Sequence, residues 1–241
     1  MKKILLLSAS VFMLTSLFAQ ENPGNPTKKN SPIGGRANDH LLFQIGYTGW
    51  SGIPDTINTG GFPKSINGYF MFDFPFKNNP KLSMAFGPGF SSDGIKFEKT
   101  YVGIKDPTVA IQFTDQADTT HFKRIKLNTT YFEAPIEFRY NSDPWSSAGG
   151  FKFALGVKVG FLMNAHTRNK ELQSESGATL NNYVMKEASK RFFNTTRLSA
   201  QARLGWGHFT VYGCYQITAL FKDGQGPEVH PYSIGLTLSG L

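Results

Sequence analysis

From Thr130 to Tyr140 the chain reads TYFEAPIEFRY. Phe132, Ala134, Ile136, Phe138 and Tyr140 fall on one face of an extended strand, and Tyr131, Glu133, Glu137 and Arg139 on the other. The same split recurs along the chain. Leu41, Phe43, Ile45 and Tyr47 define a first strand ending at Trp50, and Phe70, Phe72, Phe74 and Phe76 a second over about Gly68 to Phe76. Leu82, Met84, Phe86 and Phe90 mark a third, about Lys81 to Phe90, and the opening stretch is the fourth, beginning near Lys126. Phe151, Phe153, Leu155, Val157, Val159, Phe161 and Met163 stand opposite Lys152, Ala154, Gly156, Lys158 and Gly160 in a fifth. A sixth runs from about Thr196 to Gly205, a seventh from His208 to Phe221 and the last from Pro231 to Leu241.

Each run is long enough for the roughly 9 to 11 residues with which a tilted strand crosses a bilayer. The connections alternate between long and short, as the outer loops and periplasmic turns of outer-membrane barrels do. Residues 40–241 are therefore expected to form an all-β, eight-stranded antiparallel transmembrane β-barrel, integral to the outer membrane. Trp50, Tyr140, Trp145, Trp206, Phe221 and Tyr232 lie at strand ends, where an aromatic girdle belongs. Pro75, Pro88 and Pro135 interrupt strand runs, so each is expected to mark a bulge or an end of regular pairing.

Two long polar connections, Ser91 to Arg124 and Asn164 to Thr195, are expected outside the membrane. The first holds two alternating pieces, Ile95 to Ile104 and Val109 to Phe113, that prolong a hairpin; the second has room for a helical turn near Asn182 to Lys190. Residues 1–19 read as a signal peptide, with Lys2 and Lys3 before an apolar core and a small residue, Ala19, at the cut. Residues 20–39, rich in Pro, Gly, Asn and Lys, read as a flexible N-terminal tail. Loss of Lys2 and Lys3 lowers the formal charge from +8 to +6, spread too widely to form a nucleic-acid stripe. The single cysteine, Cys214, excludes an intramolecular disulfide framework.

The charges on the inward faces, Asp73, Glu133, Glu137, Arg139, Lys152, Lys158, Arg197 and Arg203, are the main candidate site. An eight-stranded barrel has an interior just wide enough for side chains to fill, so these groups are expected to plug the lumen as an ion-pair network. A narrow pore for small solutes is the alternative. An outer-rim hydrolase would need His121 and His166 to meet near Asp115, Asp118 or Ser174, which no spacing demands. Asp115, Asp118 and His121 read more simply as a solvated turn than as metal ligands. No enzyme activity, cofactor or metal is expected, and a soluble secreted sandwich is the remaining architecture.

The run Tyr131 to Tyr140, the glycine-spaced Gly156-Val-Lys-Val-Gly160, the final Tyr232-Ser-Ile-Gly-Leu-Thr-Leu and Ala19-Gln20 at the leader cut resemble the PorT-like outer-membrane β-barrel family of Bacteroidetes-type bacteria. The resemblance covers roughly Leu41 to Leu241. It implies an eight-stranded barrel in a Gram-negative envelope, in a family whose named member takes part in the type IX secretion system. The expected role is a structural or interaction subunit of the cell envelope, with outer-membrane lipid, lipopolysaccharide and an envelope or secretion-complex protein as partners.

Overall fold

The structure, a computed structural model, describes residues 40–146 and 149–240; the expected leader and tail lie outside the described residues. Among these, thirteen strands occur: β1 (Leu41–Ser51), β2 (Lys64–Phe70), β3 (Phe72–Phe76), β4 (Asn79–Phe86), β5 (Gly89–Phe97), β6 (Thr100–Gly103), β7 (Gln112–Asp115), β8 (His121–Asn141), β9 (Phe151–Gln173), β10 (Thr179–Ala188), β11 (Thr196–Trp206), β12 (Phe209–Gln216) and β13 (His230–Ser239). β2 and β3 are successive halves of one ring position, as are β4 and β5. The ring then has eight positions and closes antiparallel, because β1 pairs with both β2 and β13 while β8 pairs with β9 as well as with β4 and β5. No helix among the described residues is long and apolar enough to cross a membrane.

Closure in one sheet leaves every strand with an inner and an outer face. The alternation that the sequence carries is resolved accordingly: Phe43, Ile45, Phe90, Ile136, Phe161 and Leu236 are exposed on the outside, and Gln44, Glu133, Glu137, Lys158 and Gln201 are buried within. A soluble sandwich would bury the apolar faces between two sheets. Here they form a continuous outward belt.

The prolines fall on a seam. β2 passes to β3 at Met71, and beside it β4 passes to β5 at Gly87 and Pro88. The Phe70 N–H donates to the Pro88 carbonyl at 2.9 Å, and a Cβ on Gly87 would lie 1.8 Å from the Phe70 carbonyl oxygen, so only glycine fits. β5 pairs with β8 down to Glu133 and β4 takes over at Ile136. Pro135 thus sits beside the interruption, where a strand lacking one N–H costs least. Pro75 lies at a shift of register between β3 and β4.

The outer part of the fold is larger than the sequence suggests. β8 and β9, with 21 and 23 residues, run far past the length needed to cross a membrane. Met163 of β9 is an extra residue opposite the step from Thr130 to Tyr131 of β8, a bulge that shifts the parity of β9. Leu162 faces inward before the bulge, and Ala165, Thr167 and Asn169 after it. The expected helical turn near Asn182 to Lys190 is instead strand β10, laid against the far end of β9 from His166 to Gln173. Ladder hydrogen bonds with an existing edge outweigh the local propensity of so short a segment. Similarly, β2 begins at Lys64, within the expected first connection, and the seventh ring strand ends at Gln216 rather than Phe221.

Candidate functional site

The lumen is built on two carboxylates four residues apart on β8, about 13 Å at the strand rise. Opposite them on β9 stand glycines, Gly160 beside Glu133 and Gly156 beside Glu137. Each glycine leaves space for the carboxylate of its neighbour: the Glu137 Cα would lie 2.9 Å from a Cβ on Gly156. This spacing explains the alternation of glycine with Lys158 in that strand.

Glu137 is the hub nearer the short turns. Arg203 donates through Nε to Oε1 at 3.0 Å and through Nη2 to Oε2 at 2.6 Å, a two-point grip. Arg139 Nε donates to Oε2 at 2.7 Å and Gln201 Nε2 to Oε1 at 2.5 Å. Arg139 Nη1 also lies 3.6 Å from Asp73 Oδ1, which accepts from the Ser83 hydroxyl at 2.7 Å. Lys152 is buried on the same inner face, in register with Asn141 and Gly205.

Glu133 is the hub nearer the long loops. It accepts from the Tyr69 hydroxyl at 2.6 Å and is ion-paired with Arg197. Arg197 reaches on through Nη1 to Asp93 at 2.8 Å and through Nη2 to the Ser91 hydroxyl at 2.7 Å, and its guanidinium lies 4.0 Å above the Tyr131 ring. Lys158, almost wholly buried, donates to the Tyr69 hydroxyl at 3.1 Å. The structure therefore brings all eight candidate charges to the lumen and joins most of them around two acids.

Asp93, Tyr69 and Tyr131, with the polar partners Ser83, Ser91 and Gln201, join these networks without being among the expected charges. Asp93 belongs to a strand that the sequence reading ends at Phe90; the alternation Gly89, Ser91, Asp93 was its available signal. Tyr69 and Tyr131 share inward faces with chosen charges, but an aromatic beside acids reads as bulk until a contact is seen. A cavity in the lumen, lined by Asp93, Lys158, Arg197, Ser199 and Cys214, has a volume of about 20 Å³, room for about one water molecule.

Above the lumen the outer segments form an apolar cap. Val102, Ile104, Ile111, Phe192, Phe193, Leu220, Phe221 and Val229 are buried together with Ile95, Phe97, Ile125 and Leu127 from the tops of β5 and β8. Trp50 wedges in, with ring centroids 5.6 Å from Phe97 and 5.8 Å from Phe221. Two of the six expected girdle residues are thereby corrected. Phe221 is only 2% exposed and Trp50 packs against the cap, because the chain folds back over the mouth after β12 and carries both into an apolar core away from lipid. Tyr140, Trp145 and Trp206 lie toward the short-turn end, with Trp145 69% and Trp206 65% exposed; Tyr232 neighbours Tyr47 near the other end.

The rim histidines are not brought together. His121 is buried and its ring bonds to the Thr119 carbonyl, while His166 bonds to Asn128 and Asn164. In register His166 pairs with Asn128, seven residues from His121, or about 23 Å of strand. Among the described residues no group of three or more His, Cys, Asp or Glu side chains is placed to hold a metal ion.

The sequence profile of the outer membrane protein beta-barrel domain matches residues 18–222. No curated protein matches the chain. Among solved structures, the attachment invasion locus protein Ail of Yersinia pestis, in complex with the heparin analogue sucrose octasulfate, aligns over 83% of this chain and 96% of its own at 13% identity, with a TM-score of 0.31. The backbone structure of Ail in a phospholipid bilayer nanodisc aligns over 84% of this chain and 99% of its own at 13% identity, with a TM-score of 0.30. The match of the family profile spans most of the chain and agrees with the closed ring and its outward apolar belt: the chain belongs to the outer membrane protein beta-barrel domain family and is an integral protein of the outer membrane.

Proposed function

We propose that this chain is a sealed, non-enzymatic barrel that acts as an interaction subunit of the cell envelope, working through its outer face rather than through its lumen. One observation carries the reading: the lumen is filled by the Glu133 and Glu137 networks, and its outer mouth is covered by an apolar cap. A conducting barrel needs a continuous wet path, and long side chains held at both ends by buried charge are a poor gate. In this reading Tyr140, Trp145, Trp206 and Tyr232 hold the ring at the membrane interfaces.

The outer sheet supplies the surface for a partner. β10 pairs with β9 on one side only, and its residues Leu180, Tyr183 and Val184 are exposed. An open strand edge of this kind accepts a further strand from another chain. The PorT-like resemblance of the sequence points to a secretion complex as the class of partner. Crosslinking in native outer membranes tests the assignment, with photoreactive residues at Leu180 and Tyr183. A discrete crosslinked protein that is lost when β10 is shortened is expected; crosslinks to lipid alone would overturn the interaction role.

A further inference from the structure

The outer face of the extended sheet carries an arrangement that the lumen and cap do not use. Lys96 of β5 is in register with Lys126 of β8, Lys126 with Arg168 of β9, and Arg168 with Lys186 of β10. Four cations thus stand side by side on four neighbouring strands, a row about 14 Å long at the spacing between strands. Ile95, Phe97, Ile125, Leu127, Thr167 and Asn169, the sequence neighbours of Lys96, Lys126 and Arg168, are buried, so these three point outward, and Lys186, paired directly with Arg168, shares their face. The next row toward the tip adds Arg124 opposite Lys170, and the next toward the barrel adds Lys64 and His166.

Like charges directly opposite one another destabilise a sheet. Among the described residues, Lys96, Lys126, Arg168, Lys170 and Lys186 make no ion pair with a carboxylate. Glu171 is taken by Lys123 at 2.9 Å. Glu98 is the one acid that lines the groove, against Lys96, Lys123, Arg124, Lys126, Arg168 and Lys170. Burial, and then the charges of Lys96, Lys64 and Arg168, push the Lys126 ammonium below its ordinary value. The groove along Lys96, Lys126, Arg168 and Lys170 has a volume of about 590 Å³, within the range of ligand sites.

The position of the row decides which anion suits it. On the same outward faces of the same strands, Phe90, Phe132, Phe161 and Met163 form the upper edge of the exposed apolar belt. Lys126 is six residues above Phe132, about 20 Å of strand and about 15 Å of height at a tilt near 40°. Two polar rows, Ser92 with Thr130 and Asn164, then Gly94 with Asn128 and His166, lie between. The cations therefore face outward at the depth of phosphates and acidic sugars that sit above acyl chains. A lipid with one phosphate cannot span four charges, whereas a glycolipid carrying several can.

We propose that the row Lys96, Lys126, Arg168 and Lys186 is a binding site for the phosphorylated inner headgroup of an outer-leaflet lipopolysaccharide-type glycolipid. This rests on the placement of the barrel in the outer membrane and is independent of any protein partner at β10. Binding neutralises the row and holds the extended sheet against the leaflet.

The test uses the full chain refolded in zwitterionic detergent, with bisphosphorylated lipid A, its dephosphorylated form, inorganic phosphate and a soluble sulfated glycan as probes. Lipid A is expected to bind at least tenfold more tightly than the dephosphorylated lipid, with an affinity that falls as salt rises. The variant K96Q/K126Q/R168Q/K186Q is expected to lose at least tenfold in lipid A affinity, and K96R/K126R/K186R to keep it. A control, K105Q/K190Q, is expected to bind as the unaltered chain does. Heat-modifiable migration on gels reports whether each variant is still a folded barrel, and K126Q alone, expected to weaken binding severalfold, keeps the test open if the fourfold variant fails to fold. Equal lipid A affinity in K126Q or the fourfold variant and the unaltered chain would overturn the site. So would binding that is indifferent to the phosphates, or inorganic phosphate or the sulfated glycan binding as tightly as lipid A. Loss of heat-modifiability by the unaltered chain would instead strike at the barrel itself.

Discussion

Glu137 shows what a single lumen residue is asked to do. It is buried and holds two guanidinium groups, so Glu137→Ala leaves Arg139 and Arg203 without the acid that both share. Breaking a buried pair from one side costs on the order of 3 to 5 kcal/mol, and urea unfolding in lipid vesicles is expected to show a loss of that size. Replacing the acid together with both bases, Glu137→Leu with Arg139→Met and Arg203→Met, should recover much of it. His166 makes a second residue-scale prediction. Burial, then the charges of Lys186, Lys126 and Arg168, hold its imidazole below the ordinary value of 6.5. The unfolded chain therefore takes up the proton first, and His166 contributes stability that is present above pH 6.5 and is lost as pH falls through its lower folded value. Its ring hydrogen-bonds to Asn128 and Asn164. In nuclear magnetic resonance titration His166 should titrate below its ordinary value, and Lys126→Gln with Arg168→Gln should move its titration upward.

The elements of the ring were largely legible because lipid outside and a packed lumen inside impose period two on every strand. Phe132, Ile136 and Phe138 against Glu133, Glu137 and Arg139 need no more than that rule. The interruptions were not legible in the same way. Pro88 and Pro135 signal a disturbance, but only the pairing shows that they lie side by side on a seam with Met71 and Gly87. The bulge at Met163 was silent, since a polar outer segment reverses parity without changing composition. Trp50 and Phe221 misled for a related reason: an aromatic at a strand end has the same local sequence whether it meets lipid or a cap folded over the mouth. The cap offers its own check. Trp50→Ala removes a ring that touches Phe97, Phe113 and Phe221, at a cost of about 3 to 5 kcal/mol for a fully packed aromatic and less for one partly exposed. Amide exchange should quicken in β6 and β7 while the ring strands keep their protection. Gly87→Val should sharply reduce the yield of heat-modifiable protein, because its side chain would meet the Phe70 carbonyl.

At the scale of the molecule, the barrel divides its charge between two tasks. The lumen pairs acids with bases and closes on itself, and the outer sheet leaves a row of cations in register without acids of its own. The lumen was accessible to sequence reasoning because its charges interrupt apolar strands. The outer row was hidden, since Lys96, Lys126, Arg168 and Lys186 lie far apart in the chain and meet only through register. Conductance of the purified chain in planar lipid bilayers most directly tests the claim that the barrel is sealed and acts through its outer face. No unitary steps are expected from the unaltered protein, and leak only when Glu133, Glu137 and Lys158 are all replaced by alanine. Stable unitary steps from the unaltered protein would contradict the claim.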